Sequence, residues 1–171
     1  MQGYIHVYTG NGKGKTTAAL GLAVRAAGAG LKVYIAQFVK HGEYSEIKGL
    51  KRLSDMITVE QFGSGHFIKG RPSAEDAAVA QQGLEKVKSI LTAGKHQVVI
   101  LDEANVAVSL DLFSEEALLE VIRSKPDETE IIITGRGATT KIIECADLAT
   151  EMKEVKHYFK NGVQARIGIE K

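Results

Sequence analysis

One stretch limits what this chain can fold into more than any other: Thr9-Gly10-Asn11-Gly12-Lys13-Gly14-Lys15-Thr16-Thr17. An apolar run, Tyr4-Ile5-His6-Val7-Tyr8, precedes it, and a helical pattern, Ala18-Ala19-Leu20-Gly21-Leu22-Ala23, follows it. A strand, a glycine-rich turn and a helix opening on Lys-Thr form the context that a phosphate-binding P-loop needs. Glycine reaches positive φ without penalty, so successive backbone N–H groups can turn inward toward a phosphate. The helix N-terminus adds partial positive charge. Lys15 supplies a full, mobile charge, and the Thr16 hydroxyl is a ligand for a phosphate-bound Mg²⁺. The bland alternative is a merely flexible glycine turn.

The match departs from the usual G-x-x-x-x-G-K-[ST]. Thr9 stands where the first glycine belongs, Gly10 comes one place late, and a second lysine, Lys13, sits inside the loop. Phosphates are therefore expected here in a pose that differs from an ordinary nucleotide hydrolase. A dinucleotide-binding reading fails, because the run is G-x-G-x-G and the next strand ends in Gln37-Phe38 with no acid for a ribose hydroxyl.

The 171 residues suit one domain, spanning 1–171, with a sizeable core. At 44% hydrophobic and 25% charged, with net charge +1, the chain has no bulk electrostatic drive toward nucleic acid or a membrane surface. Cys145 is the only cysteine, which excludes an internal disulfide, and it reads as a structural thiol in a helical pattern. The absence of a signal-peptide pattern or an apolar run near 20 residues leads to the expectation of a cytoplasmic protein.

Taken in order, a helix is expected from Lys15 to Ala27, stopped by Gly28 and Gly30, then a strand over Lys32–Phe38 apolar enough to be covered on both faces. Ser45 is placed as the cap of a short helix carrying Ile47, Leu50 and Leu53, and Ile57–Phe62 as a third strand. Gly63–Pro72 is a long loop with three glycines. Ser73 reads as an N-cap with Glu75 and Asp76 in the first turn of a helix ending at Gly94. Gln97–Glu103 is the most apolar strand and ends in two carboxylates; a helix begins at Ser114 and stops at Pro126. Glu130–Gly137 is a strand running into a glycine turn, followed by a short helix near Thr140–Ala146. Extended pieces at Leu148–Val155 and Ala165–Ile169 are expected to finish the sheet. Strands alternating with helices give a parallel, doubly wound α/β domain, whose ligands bind at the carboxyl ends of the strands.

Four apolar residues followed by Asp102 place an acid where it reaches a metal held beside Thr16, directly or through water, with Glu103 one place further as metal ligand or base. Arg136, at the mouth of its strand, is a candidate phosphate contact, with a plain surface arginine as the alternative. His6 reads as a structural residue in the first strand. His41, His96 and His157 are scattered without metal spacing, and His66 stands out only for its place beside Phe67 and Ile68 in the glycine loop.

These motifs resemble the corrinoid adenosyltransferases (ATP:cob(I)alamin adenosyltransferases of the CobA/CobO/BtuR type) over nearly the whole chain. The resemblance rests on Tyr8–Ala19, on Val33–Lys40 ending Gln37-Phe38-Val39-Lys40, on Val99–Glu103, on Ile133–Gly137, on Val155-Lys156-His157 and on Gly168-Ile169-Glu170. The displaced glycine is that family's own form of the loop. The resemblance implies a RecA-like P-loop fold, a mainly parallel central sheet with helices on both faces, and frequently a homodimer. It implies transfer of the 5′-deoxyadenosyl group of ATP to the Co(I) of a corrinoid, cobalamin or a precursor, with release of triphosphate. Mg²⁺ or Mn²⁺ accompanies the ATP, and an electron-donating flavoprotein supplies the reduced cobalt. By position, Thr9, Gly10, Asn11, Gly12, Lys13, Gly14, Lys15, Thr16 and Thr17 would bind the triphosphate, Thr16, Asp102 and Glu103 would serve the metal, and Arg25 and Arg136 would assist the nucleotide. Lys15, Thr16 and Glu103 would carry the catalysis. Better-known members place Phe-Thr-Trp in the corrinoid loop. The aligned His66-Phe67-Ile68 is expected to form the corrinoid-facing wall here, with the lower face handled differently. Some members also carry an N-terminal extension that closes over the site; with Met1-Gln2-Gly3 ahead of the first strand, closure is expected to be looser or supplied otherwise.

Three rivals stand beside this reading. An ATP-hydrolysing RecA-like motor calls for nucleic-acid contacts or a ring interface. A small-molecule kinase calls for clustered lid arginines, whereas Arg25, Arg52, Arg71, Arg123, Arg136 and Arg166 are scattered. A nucleotide-binding regulatory module would have no turnover.

Overall fold

The computed structural model describes residues 2–66, 68 and 70–170. Six parallel strands form one sheet: β1 (Ile5–Thr9), β2 (Val33–Phe38), β3 (Ile57–Phe62), β4 (Val98–Asp102), β5 (Glu130–Thr134) and β6 (Leu148–Glu151), in the order β3-β2-β4-β5-β1-β6. The helices are α1 (Lys15–Gly28), α2 (Ser45–Leu50), α3 (Ala74–Ala93), α4 (Ala104–Ser109), α5 (Glu115–Arg123) and α6 (Thr140–Cys145), with 3₁₀ turns at Lys51–Leu53 and Tyr158–Asn161.

Strand periodicity sorts the core into two layers, because successive side chains leave the sheet on opposite faces. Val33, Ile35, Val98, Ile100 and Ile132 pack with Ala19, Leu20, Ala23 and Ala26 of α1 and Leu50 of α2. Tyr34, Ala36, Phe38, Val99, Leu101, Ile131 and Ile133 pack with Ala80, Leu84, Val87 and Leu91 of α3, Leu118 and Ile122 of α5, and Ile142 of α6. Both faces are covered, which is why β2, β4 and β5 are nearly continuous apolar runs.

The local signals for the ends of α3 hold. Ser73 accepts from the Asp76 amide at 3.1 Å and Asp76 Oδ2 accepts from the Ser73 amide at 2.7 Å, a reciprocal capping box, and Gly94 closes the helix at φ 61°. Ser114 caps α5 through the Ala117 amide. His6 is satisfied within the sheet, its Nε2 lying 2.6 Å from Glu130.

Three local expectations are corrected. Tyr44, in extended conformation, is the N-cap of α2, and Ser45 is its first helical residue. Helix α4 follows β4 directly; its six residues are too few to display a period, and it starts from Glu103 in the left-handed region at φ 60°. Ala165–Ile169 adds no strand. The Ile169 and Glu170 amides turn back onto the Arg166 carbonyl with Gly168 at φ 78°, so the segment folds over the P-loop instead of pairing with an edge. Among the described residues, no helix is long and apolar enough to cross a membrane.

Candidate functional site

Parallel strands end together, so the segments leaving them meet at one rim. The P-loop follows β1, Lys40 follows β2, Glu103 follows β4, Arg136 follows β5 and Glu154 follows β6, and all of them line a cavity of about 1160 Å³. Asn11 to Thr17 form one wall, α1 and α2 a second through Leu20, Val24 and Leu50, and the C-terminal segment a third through His157, Phe159 and Ile169.

The glycine-rich loop is packed in place. Gly12 donates its amide to the Met152 carbonyl at 2.6 Å, and a Cβ on Gly12 would lie 2.6 Å from that oxygen. Gly10 sits against the same backbone, so these glycines are demanded by the chain that follows β6 and not by a ligand alone. Gly14 at φ 117° is the N-cap of α1. Lys15 is buried and folds back over the loop, its Nζ donating to the carbonyls of Gly10 (2.7 Å) and Gly12 (2.6 Å). Burial pushes the Lys15 ammonium below its ordinary pKa, partly offset by the nearby Glu103 carboxylate. Thr9 ties the loop to the neighbouring turns, its Oγ1 accepting from the Ala138 amide and its carbonyl from the Met152 amide. Lys13 points to the C-terminal segment, donating to Tyr158 Oη (3.0 Å), the Ile169 carbonyl (3.1 Å) and Glu170 Oε1 (2.7 Å). Glu170 also accepts from Tyr158 and Arg166, and these partners, Arg166 foremost, hold its carboxyl well below the usual range.

Beneath the loop lies a polar knot around Asp102, which is fully buried. Its carboxylate accepts four hydrogen bonds: Oδ1 from Thr16 Oγ1 (2.9 Å) and Thr134 Oγ1 (2.7 Å), Oδ2 from Gln37 Nε2 (3.1 Å) and Lys40 Nζ (2.8 Å). Gln61 orients Gln37 by donating to its Oε1 at 3.0 Å. Lys40 Nζ also donates to Thr16 Oγ1 at 3.1 Å. Burial works against the Lys40 charge, but the attraction of Asp102 outweighs it and raises the pKa. The Thr134 hydroxyl accepts from the Glu103 amide at 2.9 Å and so fixes the turn that brings Glu103 to the cavity. Burial raises the Glu103 carboxyl above its ordinary range, with Lys40 opposing.

Of the residues singled out from sequence, Asn11, Gly12, Lys13, Gly14, Lys15, Thr16, Thr17, Glu103 and Arg136 line this cavity. Asp102 lies behind Thr16 with its acceptor positions filled, so it orients the threonine and does not itself face the cavity. Arg25 is exposed in the last turn of α1, about 15 Å along the axis from Lys15 at 1.5 Å per residue, and is not among the lining residues. His66 is exposed and turned to Ser64 and Asp76, with Nε2 3.4 Å from Asp76 Oδ1, and Ile68 packs against the core layer on the α3 face; neither lines the cavity. Phe67 lies outside the described residues. Sequence reasoning gave no role to Lys40, Gln37, Gln61 or Thr134. The available signal was polar residues at the ends of otherwise apolar strands.

The site's donors fit a small, hard cation. The Thr16 hydroxyl and the Glu103 carboxylate are oxygen donors lining the cavity beside the glycine-rich loop, and an ammonium already sits on Thr16 as a cation would. Among the described residues no group of three or more His, Cys, Asp or Glu is arranged to hold a metal. Mg²⁺ takes one or two protein ligands and completes its shell with substrate phosphates and water.

Comparison with known proteins agrees with this arrangement. The family described as ATP:corrinoid adenosyltransferase BtuR/CobO/CobP matches residues 1–170. The corrinoid adenosyltransferase of Escherichia coli (strain K12) is 37% identical over 171 residues, covering 99% of this chain and 86% of that protein. Corrinoid adenosyltransferase CobA of Salmonella typhimurium is 36% identical over 171 residues, with the same coverage, and the corrinoid adenosyltransferase of Pseudomonas aeruginosa is 34% identical over 170 residues, covering 99% of this chain and 84% of that protein. With a match running from the first strand through the segment that straps the P-loop, the chain belongs to the ATP:corrinoid adenosyltransferase family.

Proposed function

We propose that this protein transfers the 5′-deoxyadenosyl group of ATP to the Co(I) of a corrinoid, in the making or salvage of an adenosylated cobalamin, and that residues 1–171 form a single RecA-like P-loop domain. The observation that carries the reading is the loop itself: a Gly-Asn-Gly-Lys-Gly-Lys-Thr turn between β1 and α1, with Lys15 folded onto the loop carbonyls at the rim where five strand ends converge. A triphosphate offers Lys15 better acceptors than two neutral carbonyls, because charge-assisted hydrogen bonds are the stronger kind. The placement of β5 between the P-loop strand and the acid-bearing strand supports the RecA-like assignment.

The reaction needs little from the protein at the cobalt. Co(I) carries a nucleophilic electron pair. It attacks C5′ of the ribose, the C5′–O bond breaks, and the triphosphate leaves with that bond's electrons while cobalt becomes formally Co(III). The enzyme's work is to align C5′ with the incoming cobalt and to neutralise the departing anion. The amides of Asn11 to Thr17, Lys15 and Arg136 serve the triphosphate. Thr16, held by Asp102, and Glu103 would hold a Mg²⁺ or Mn²⁺, whose chemistry is to draw off phosphate charge. Lys13, already tied to Glu170, links the loop to the C-terminal strap, which walls the cavity with His157, Phe159 and Ile169 and keeps water from the reacting carbon. The loop carrying His66, Phe67 and Ile68 borders the corrinoid. A flavoprotein donor of the electron, a homodimeric state and a cytoplasmic location complete the reading.

The test is the fate of the phosphates. With γ-labelled ATP, Mg²⁺ and a chemically reduced corrinoid, label is expected in intact triphosphate, in step with a light-sensitive cobalt–carbon product. Steady orthophosphate release without a corrinoid requirement would overturn the reading in favour of an ATPase.

A further inference from the structure

The cluster on Thr16 holds more than a phosphate-binding loop needs. We propose that Lys40 is a resident cation, one that sits on the Thr16 oxygen a divalent ion requires and bars the free ion from the site until a triphosphate draws it away. The proposal rests on the reading of the loop as a site for a triphosphate with its divalent ion.

A threonine hydroxyl has one proton and two acceptor positions. The Thr16 proton goes to Asp102 Oδ1, so only its lone pairs remain for a ligand, and Lys40 Nζ takes one of them at 3.1 Å. Asp102 has about four acceptor positions and all are in use. No cation reaches Asp102 without expelling a donor, and one that takes the remaining lone pair of Thr16 sits against the Lys40 ammonium. Of the donors, Thr134 and Gln37 are fully buried and neutral, and Thr16 is anchored at the start of α1. Lys40 alone is charged, flexible, 20% exposed at its side chain, and part of the cavity wall. Lys40 is therefore the donor that yields. A divalent ion and an ammonium repel strongly at contact distance in a partly buried site, so the two exclude one another.

The backbone is built to aim this side chain. Val39, one residue past β2, sits at φ 62°, a left-handed conformation that a β-branched residue adopts only under constraint. Its amide still bonds the Phe62 carbonyl at 3.3 Å, so the chain turns sharply after its last tie to β3. On the far side Gly63 presses on the Lys40 backbone, where a Cβ would come within 2.7 Å of the carbonyl oxygen. A strand continuing past Phe38 without this turn would carry Lys40 away from Asp102. An arriving triphosphate supplies anionic oxygens that compete with Asp102 for the ammonium, and the metal position opens as the nucleotide enters.

The test uses Mn²⁺, whose resonance signal falls on binding, titrated into the nucleotide-free full chain. Wild type and Lys40→Arg are expected to bind Mn²⁺ at least about tenfold more weakly than Lys40→Met, a difference of about 1.4 kcal/mol. Lys40→Gln, which removes the charge but can still donate to Asp102, should gain in the same direction, by more than about twofold, and covers the case in which the methionine variant does not fold. Equal affinity of wild type and both neutral variants, within about twofold, overturns the proposal. A parallel series with ATP separates the two readings. Wild type that gains Mn²⁺ with ATP, alongside neutral variants unchanged without it, sinks only the role of Lys40. Wild type that holds no Mn²⁺ beyond that complexed by ATP itself sinks the triphosphate–metal reading beneath it.

Discussion

Thr134→Val tests whether the knot beneath the P-loop is held together as the geometry indicates. Valine keeps the shape of threonine and replaces only the hydroxyl, so packing around this fully buried position changes little. Two hydrogen bonds disappear: the one donated to Asp102 Oδ1 at 2.7 Å and the one accepted from the Glu103 amide at 2.9 Å. A hydrogen bond to a charged group contributes about 1.5–3 kcal/mol, and a buried N–H left without a partner costs about 1–3 kcal/mol. The added methyl returns about 0.8 kcal/mol. The net loss is about 3 kcal/mol. In urea, with a slope of about 2 kcal/mol per molar, the unfolding midpoint should fall by about 1.5 M, and the melting temperature of a chain this size by about 6–12 °C. Thr134→Ser, which keeps the hydroxyl, should lose only about 1 kcal/mol for its missing methyl. The sharper consequence is local: Glu103 holds its left-handed turn through that amide bond, so the valine variant should also lose divalent-cation dependence. A Thr134→Val protein with a midpoint within about 0.3 M of wild type and an unaltered Mg²⁺ titration would refute the argument.

Lys15→Ala should weaken MgATP binding about 100-fold or more, since about 3 kcal/mol of charge-assisted hydrogen bonding is lost; titration calorimetry reads it directly, and near-normal affinity would place the nucleotide elsewhere. Gly12→Ala should displace the loop, because its Cβ would meet the Met152 carbonyl oxygen at 2.6 Å, whereas Gly28→Ala has open space and should be neutral or stabilising; nucleotide titrations and thermal melts on the pair separate loop geometry from helix propensity. Asp76 is held down to a pKa of about 2 by Ser64 and Ser73. A depressed carboxyl contributes stability that is fully present above its unfolded value near 3.8 and is lost as pH falls through about 2. Urea midpoints of wild type should therefore drop across that window while those of Asp76→Asn change less, and parallel pH profiles would rule out the capping contact as the cause.

Much of the fold was legible because its signals are local. The continuous apolar runs of β2, β4 and β5 announce strands covered on both sides, and Ser73, Ser114 and Gly94 mark helix ends with their own hydrogen bonds. The glycine-rich turn between β1 and α1 was legible in part for the same reason, since Lys15 bonds the carbonyls of Gly10 and Gly12 within the turn, although Gly12 and Thr16 find their partners in Met152 and Asp102. Where a segment's partners are distant, sequence reasoning misplaced it. Ala165–Ile169 alternates like a strand but bonds back on itself beside Lys13.

The sequence alone determined most of the elements, the glycine-rich turn before α1 and the acid at the end of β4, because spacing and side-chain chemistry are sufficient for each. Only the tertiary structure decided what surrounds Thr16. In chain order Gln37, Gln61 and Asp102 are far apart, but strand order β3-β2-β4 sets them in one row, with Gln37 opposite both Gln61 and Asp102. Lys40 joins that row through the strained turn at Val39, and Thr134 reaches it from β5. A hydrogen bond is directional and short-ranged, so a network of them exists only when strand neighbours and register are fixed, and neither is encoded in any one stretch of the chain.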